Sequence, residues 1–418
     1  MMDDNTLIVG LDLCNDFTQI SYYNELTYEV ESIYCGEEKN EFMIPTALAV
    51  TEREKDWLFG DDALRCGEQG NGLVITQFLD SEHKSYTIYD SVFDRTQLLE
   101  KYLRKVLLLL KREFPTKSIK RLVVTIRNLD LLLIENIYSA LESLGLFKDR
   151  VHVISHEQSY LNYALSRKKE LWMNDIGLFE INEKGLMYYQ ISMDRRAEPM
   201  LVGVKTKDFT DTLSYDMVQN RAAELQYVFK NIYSGVLHKQ IISTIYLTGP
   251  GFSEEWLGPC INDLCAGRRV FIGQNLYCFG ACITARNEAN ENGAVNYAYL
   301  SNEALAYSVS MNLYTKGRMN EVTLVPTATP WYEVKRSFQV ILDGETELQF
   351  IIRDAISHTT TTRIIALDGL EPKMVRSTRV EIRLRSTKNH ELIIDVKDIG
   401  FGENFPSSNR IWETIINV

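Results

Sequence analysis

Two residues near the start of the chain, Gly10 and Asp12, have types and spacing that could serve phosphate chemistry. They lie in LIVGLDLCNDFTQI (7–20), where an apolar run leads into a turn and a second apolar pair follows. The pattern predicts a strand, a tight turn and a returning strand, with the Asp12 carboxylate at the bend. Such a hairpin can present backbone N–H groups to a phosphate and a carboxylate to a metal-bound water. In the plainer interpretation, Asp12 is only a turn residue after a strand.

The next clear elements combine strand and helix patterns. Residues 121–130 (RLVVTIRNLD) read as an apolar strand that ends in polar residues. A run with apolar residues at helical spacing follows, and Gly145 is well placed to end that helix. These patterns predict an α/β fold for this part of the chain.

The last part of the chain reads differently. Residues 322–403 contain short β-rich runs separated by turns, and in 379–385 the apolar Val380, Ile382 and Leu384 alternate with charged residues. Alternation of this kind is typical of strands with one buried face. Several such strands in succession predict a β-sandwich.

In order and interval, these segments resemble the actin-like ATPases, and most closely the DnaK-type heat-shock chaperones, whose first phosphate loop reads G-I-D-L-G-T-T. The resemblance implies an α/β, two-lobed actin-like ATPase fold with ribonuclease-H-like lobes, followed by a C-terminal β-sandwich. The matching segments are 7–20 (first phosphate loop), 121–145 (strand, turn and helix), 151–166 (first connector), 176–191 (second phosphate loop), 241–252 (adenosine loop), 273–285 (second connecting helix) and 322–403 (peptide-binding sandwich).

The resemblance also implies ATP or ADP with Mg²⁺ as a possible cofactor, and it assigns roles to residues. Plainer interpretations remain open: Glu157 suits the N-terminus of a helix electrostatically, and 249–251 suits a strand-to-helix turn. Gly280 is expected to allow close helix packing. The implied site residues are Asp12, Glu157 and Glu180 for catalysis, Gly10, Asn15, Asp16, Asn182, Gly185, Gly249 and Gly251 for the nucleotide, and Asp12 and Glu180 for the metal.

The phosphate loops depart from the family pattern. Cys14 replaces a glycine and Asp16 a hydroxyl residue of the first loop, while D-L-G-G-G-T of the second becomes EINEKG (180–185). Backbone must approach a phosphate closely, which favours glycine. Two like charges about 4 Å apart repel by roughly 4 kcal/mol at an effective dielectric of about 20, so Asp16 and Glu183 oppose a triphosphate. The family's catalytic lysine has no clear match, Lys84 being the nearest in order.

Three domains are predicted: lobe I (1–168), lobe II (169–300) and a lidless peptide-binding β-sandwich (301–418). In the sandwich, strands at 308–313 and 321–326 are expected to join through a turn around Lys316 and Gly317. Met311 is expected to line a shallow groove for an extended peptide. The alternative is a groove filled by the protein's own side chains, which would leave a docking surface only.

Composition bears on compartment and partners. The 418 residues carry a formal net charge of −12, which argues against nucleic acid as the main partner. No apolar run is long enough to span a membrane. Seven scattered cysteines favour reduced thiols, and no zinc-binding spacing is visible among the cysteines and the six histidines. We therefore expect a cytoplasmic protein without a membrane segment.

Three functions are compatible with these features. The first is a pseudo-ATPase with weak or no nucleotide binding that acts as a scaffold or binds protein or peptide partners. The second is an active ATP-dependent chaperone or switch with divergent loops. The third is an actin-like assembly protein, for which no self-complementary surface can be recognised in the sequence. The oligomeric state stays open.

Overall fold

The computed structural model describes residues 5–35, 42–80, 85–196, 199–220, 222–252, 254–290, 297–301, 304–370, 375–388 and 390–417. The chain divides into two compact units. Unit 1 comprises Met1–Ser192 and Val204–Val295, and unit 2 comprises Met193–Gly203 and Asn296–Val418. The predicted lobes 1–168 and 169–300 both fall largely in unit 1, and their separation stays a prediction.

Unit 1 begins with a strand that is apolar and buried along almost its whole length. Every residue of Thr6–Leu13 after Thr6 is buried, as expected for a central strand covered on both faces. The first elements are β1 (Thr6–Leu13), β2 (Phe17–Asn24), β3 (Glu29–Ser32), β4 (Ile44–Pro45), β5 (Leu48–Thr51), β6 (Trp57–Phe59), α1 (Asp61–Glu68), β7 (Gly72–Ile75), β8 (Ser85–Ile88), β9 (Ser91–Asp94) and α2 (Arg95–Glu113).

The rest of unit 1 alternates strands and helices with clear end signals. Asp130 caps the helix that follows the 118–126 strand, and Gly145 has φ +83° just beyond the helix, which confirms the predicted terminator. These elements are β10 (Ser118–Ile126), α3 (Leu131–Ser143), β11 (Val151–Ser155), α4 (His156–Leu165), β12 (Asp175–Ile181), β13 (Leu186–Asp194), β14 (Met200–Asp208), α5 (Tyr215–Asn220), α6 (Ala222–Val236), β15 (Ile242–Thr248), α7 (Glu254–Leu264), β16 (Arg269–Ile272) and α8 (Leu276–Ala289). The end of β13 and the first four residues of β14 are assigned to unit 2.

Two sheets organise unit 1, and they share one strand order. The first sheet runs β11-β10-β1-β2-β3, with β4 also paired to β2; β1 is parallel to β10 and antiparallel to β2. The second sheet has six strands, five of which run in the order β16-β15-β12-β13-β14, and β12 is likewise parallel to β15 and antiparallel to β13. In each sheet, the strand that comes first along the chain (β1 or β12) lies in the middle of these five strands.

Helices α4 and α8 pack backbone to backbone. A Cβ on Gly280 would lie 2.0 Å from the Ser159 carbonyl oxygen, which confirms that this glycine permits close helix packing. The Ser159 hydroxyl donates to the Tyr277 carbonyl at 2.5 Å, and Asn162 donates to the Thr284 hydroxyl at 2.6 Å. These contacts join the helix that follows β11 to the helix that follows β16.

Unit 2 is built mainly from two antiparallel sheets, β19-β18-β21-β22 and β20-β23-β24-β25. Val309 and Phe350 of the first sheet and Ile382 and Ile394 of the second belong to one buried cluster, as in a β-sandwich. The elements are β17 (Tyr297–Leu300), which pairs with Met200–Gly203, then β18 (Tyr307–Thr315), β19 (Arg318–Val325), β20 (Lys335–Leu342), β21 (Glu347–Asp354), β22 (Thr360–Ala366), β23 (Thr378–Lys388), β24 (Glu391–Asp398) and β25 (Ile411–Asn417).

The β18–β19 hairpin confirms the predicted strand pair and turn. Lys316 and Gly317 both have positive φ, 50° and 82°, which matches the tight turn that two-residue hairpin loops favour. Met311, however, is only 4% exposed and lies in the sandwich core. The prediction that Met311 lines an open groove is therefore wrong, because its side chain points to the buried face of its strand.

Within the part of the chain that the structure describes, no helix is both long and apolar enough to cross a membrane.

Candidate functional site

Strand ends from both sheets of unit 1 meet at a small cavity of about 50 Å³, called here the central cavity. Asp12 lies one residue before the end of β1, and Glu180 lies one residue before the end of β12. Arg127 directly follows β10, and His156 opens α4 directly after β11. All four side chains line the central cavity. Local sequence explains this convergence, because each residue stands where an apolar strand ends.

Asp12, Cys14 and His156 form a buried group, the Asp–Cys–His cluster. The His156 Nε2 and the Cys14 Sγ lie 2.8 Å and 3.5 Å from the same Asp12 oxygen, Oδ1. The Cys14 Sγ is 3.4 Å from His156 Nε2. The three residues are only 6%, 8% and 3% exposed. Burial, and next the charge of Asp12, raise the pKa of the Cys14 thiol well above its usual range.

The imidazole of His156 is held by stacking. Its ring lies parallel to that of Tyr277, with centroids 3.9 Å apart, while Nδ1 has no hydrogen-bond partner among the described residues. The Tyr277 hydroxyl in turn donates to Glu180 Oε2 at 3.0 Å. Burial, and next the Glu180 carboxylate, raise the pKa of Tyr277 well above its usual range. The phenol therefore stays a neutral donor.

Arg127 is the cation of the central cavity. Its guanidinium lies 3.0 Å from Glu183 Oε2 and 3.8 Å from Glu180 Oε1. Burial lowers the pKa of Arg127, but Glu180, Cys14 and Glu183 together raise it by more than burial lowers it. The pKa of Arg127 therefore lies above its ordinary value. The two carboxylates, Glu180 and Glu183, that the chaperone resemblance assigns to a second phosphate loop are thus paired with a cation of the protein itself.

The predicted site residues divide into two groups. One group lines the central cavity and the other does not. Glu157 is outside the cavity, where its carboxylate accepts a hydrogen bond from Thr206 at 2.7 Å. The first turn of α4 directs His156, not Glu157, into the cavity. Lys84 lies outside the described residues. The central cavity is lined by Asp12, Asp16, Glu180, Asn182 and Gly249, and it is not lined by Gly10, Asn15, Glu157, Gly185 or Gly251.

In the first loop, the polar side chains bond to other groups of the protein. The Asn15 amide donates to Asp80 Oδ1 at 2.6 Å and its Oδ1 accepts from the Leu79 backbone N–H at 3.3 Å. Asp16 Oδ1 accepts from the Phe17 backbone N–H at 2.9 Å, so Asp16 acts as a turn residue between β1 and β2.

In the second loop, Asn182 has the same local role. Its Oδ1 accepts from the backbone N–H groups of Lys184 and Gly185, at 2.9 Å and 3.2 Å. Gly185 has φ +139°, and a Cβ there would lie 2.3 Å from the Leu213 carbonyl oxygen. The loop is closed on itself, so its N–H groups are not directed at an anion.

Gly10, Gly249 and Gly251 are required by packing. A Cβ on Gly10 would lie 2.4 Å from the Cys282 backbone nitrogen in α8. A Cβ on Gly249 would lie 2.0 Å from the Ile181 carbonyl oxygen, and a Cβ on Gly251 would collide with the Ile181 side chain. The close approaches that glycine permits here are made to protein atoms.

The donor atoms do not fit a Mg²⁺ site. Magnesium prefers octahedral oxygen ligands and retained waters. Of the two predicted ligands, Asp12 contacts a thiol and an imidazole, and Glu180 faces the Arg127 guanidinium. The imidazole and thiol beside Asp12 are nitrogen and sulfur donors, and the Arg127 guanidinium beside Glu180 is a cation. Neither environment suits Mg²⁺.

Comparison with known proteins places most of the chain in one family. The family, described as "Family of unknown function (DUF5716) C-terminal", matches residues 29–302, well over half of the chain. The chain belongs to this family. A second match, "Domain of unknown function (DUF8552)", covers residues 304–418. No curated protein matches the sequence.

A larger cavity of about 700 Å³ lies elsewhere in this DUF5716 family member. Its lining includes Tyr22, Glu31, Arg112 and Phe279, and none of the predicted nucleotide residues. Space for a drug-sized ligand therefore exists in unit 1, but not at the residues that the chaperone resemblance selects.

Sequence reasoning missed Arg127, His156 and Tyr277, which line the central cavity. In the structure, Arg127 and His156 each stand one residue beyond the end of a strand, and this position is the signal that could have identified them. Tyr277 lies in the second connecting segment, where only the small residues drew attention. Nothing in its own neighbourhood indicates that its hydroxyl reaches Glu180.

Proposed function

We propose that this protein is a pseudo-ATPase with a two-lobed, actin-like fold, similar to DnaK-type chaperones, and that it binds protein partners without nucleotide. The observation that carries the proposal is the pairing of Arg127 at the small central cavity. Arg127 pairs with Glu180 and Glu183 where the resemblance expects phosphates.

Internal symmetry supports the actin-like fold. Both sheets of unit 1 have the same strand order and the same parallel and antiparallel neighbours around the central strand. Asp12 of β1 pairs with Thr125 of β10, and Glu180 of β12 pairs with Thr248 of β15. The two carboxylates thus stand at equivalent positions of a repeated unit, as expected of a duplicated ribonuclease-H-like lobe.

The size of the central cavity argues against nucleotide binding. Sites for small molecules occupy about 300–1,000 Å³, whereas the central cavity has about 50 Å³, enough for a water molecule or two. A triphosphate would also have to break the ion pairs of Arg127 and bring its own charge close to Asp16, which lines the same cavity. Both effects oppose binding.

An active ATPase is the second candidate, because Asp12 and Glu180 do meet at one cavity, as such an enzyme requires. A thermal-shift titration of the full chain with Mg-ATP distinguishes the two. We expect no concentration-dependent shift up to millimolar ligand, since occupancy at about 100 times Kd would stabilise the protein by about 2.7 kcal/mol. Steady phosphate release that disappears in Asp12→Asn would establish the ATPase and refute the pseudo-ATPase.

The proposed partner surface lies on the β18–β19 hairpin. Tyr314 and Met319 are directly opposite each other and are 70% and 66% exposed. A paired tyrosine and methionine suit protein contacts, because Tyr and Met are enriched at interfaces. The hairpin extends beyond the sandwich core, and β19 is an edge strand to which an extended segment can add.

A fluorescent apolar peptide titrated against the full chain tests this surface. Replacing both Tyr314 and Met319 by serine is expected to raise the Kd about tenfold, since about 1.4 kcal/mol of apolar contact is lost. Val92→Ser, at an equally exposed residue of β9, serves as the matched control and should leave Kd unchanged. Lack of saturable binding by the wild type, or equal weakening by the control, would rule out the hairpin as the binding surface.

A further inference from the structure

The Asp–Cys–His cluster has the donor spacing of a tetrahedral metal site. Zinc bonds of about 2.3 Å to sulfur and about 2.0–2.2 Å to nitrogen or oxygen place neighbouring ligand atoms about 3.3–3.6 Å apart. The Sγ–Nε2 and Sγ–Oδ1 separations are 3.4 Å and 3.5 Å. The Nε2–Oδ1 separation of 2.8 Å is that of a hydrogen bond, and it lengthens when a metal takes the place of the shared proton. The His156 ring then carries its proton on Nδ1.

The types of donor select the metal. A thiolate, an imidazole and a carboxylate together suit Zn²⁺, whereas Mg²⁺ and Ca²⁺ take oxygen ligands. The charges of the Asp12 carboxylate and a Cys14 thiolate balance a divalent ion. Binding converts the Cys14 thiol to the thiolate, and the displaced proton leaves to solvent.

A fourth coordination position is available. The central cavity adjoins all three ligands, and its volume of about 50 Å³ accommodates a water molecule. Gln19 lines the same cavity, is only 6% exposed, and has a buried Oε1 without a hydrogen-bond partner among the described residues. A metal-bound water would supply the donor that this oxygen lacks.

We propose that Asp12, Cys14 and His156 bind Zn²⁺ through three protein ligands, with a water in the central cavity as the fourth. Three protein ligands with one exchangeable position are the arrangement of catalytic zinc sites. The ligands come from the end of β1, the turn after it and the start of α4, so the bound ion also links β1 to α4. This site is independent of whether nucleotide binds.

The test uses the purified full chain, stripped of metal with a chelator and then loaded with Zn²⁺ or Co²⁺. After gel filtration, elemental analysis is expected to find one zinc per chain. The Co²⁺ form is expected to show the intense visible bands of tetrahedral cobalt and a thiolate-to-cobalt charge-transfer band. A wild-type chain that retains no stoichiometric zinc, or a cobalt spectrum without the thiolate band, would overturn the proposal without any variant.

Variants then locate the site. Cys14→Ser is expected to lower zinc affinity by more than about 100-fold, since even changes beyond the direct ligands lower it 10- to 100-fold. Cys282→Ser is the matched control, because Cys282 is also buried in the same unit, its Sγ donates to the Ile8 carbonyl, and it does not line the central cavity. The zinc affinity of the Cys282→Ser variant should equal that of the wild type. Zinc binding that Cys14→Ser leaves intact would show a different site and refute this one.

Discussion

Replacing Arg127 with methionine is expected to lower the free energy of unfolding by about 3 kcal/mol, because one partner of a buried ion pair is then left alone. Glu180 is only 5% exposed at its side chain, and it is bonded to the neutral Tyr277 hydroxyl. Methionine keeps much of the volume of arginine but none of its charge. Urea-induced unfolding of the full chain, followed by circular dichroism, measures the shift in midpoint.

The double variant Arg127→Met with Glu180→Gln shows whether charge is the cause. Removing the unpaired carboxylate should recover a large part of the loss, as a coupling energy between contacting residues. Arg65→Met is the surface control: its pair with Asp62 is 65% exposed at both side chains, and such pairs contribute about 0–1 kcal/mol. If Arg127→Met is no more destabilising than Arg65→Met, the ion pairs of Arg127 do not contribute measurably to the stability of the fold.

Gly280→Ala is expected to destabilise the protein by about 3 kcal/mol or more, because the new methyl group would lie 2.0 Å from the Ser159 carbonyl oxygen. The obstructing atom is backbone, so no side chain can rotate away. The helices α4 and α8 must separate, and the hydrogen bonds between them weaken. The expected readout is a lower melting temperature and a lower urea midpoint.

Gly235→Ala is the matched control, since Gly235 also lies in a helix but has no atom within 4 Å of its would-be Cβ. There alanine should raise stability by about 0.5–1 kcal/mol through helix propensity. Opposite signs for the two substitutions would attribute the loss at Gly280 to the contact between helices. A neutral result for Gly280→Ala would mean that α4 and α8 can move apart without loss.

Local signals in the sequence predicted several elements well. The apolar run at residues 7–9 and the turn after Leu13 give the β1–β2 hairpin, and the Lys316–Gly317 turn joins β18 to β19. These features depend on residues close in sequence, where periodicity and turn preference operate directly. The mixed α/β character and the strands of unit 2 follow from the same signals.

The roles of individual site residues were harder to predict. The resemblance directed attention to Glu157, but the helix places the adjacent His156 against Asp12. Adjacent residues of a helix point about 100° apart. A resemblance to a distant family does not determine which of two adjacent residues faces the cavity. Arg127 gave no signal beyond its place at a strand end.

By itself, the sequence determined the strands, turns and helix ends and the acidic charge of the chain. Only the tertiary structure decided which side chains meet at the central cavity. Arg127 meets Glu183 across 56 positions of sequence, and His156 meets Asp12 across 144. The His156–Asp12 contact arises because the parallel strands β1, β10 and β11 bring their carboxyl ends to one edge of a sheet, whereas the Arg127–Glu183 contact joins strand ends of two different sheets. Their energy depends on distance and burial in three dimensions, and no local pattern encodes either.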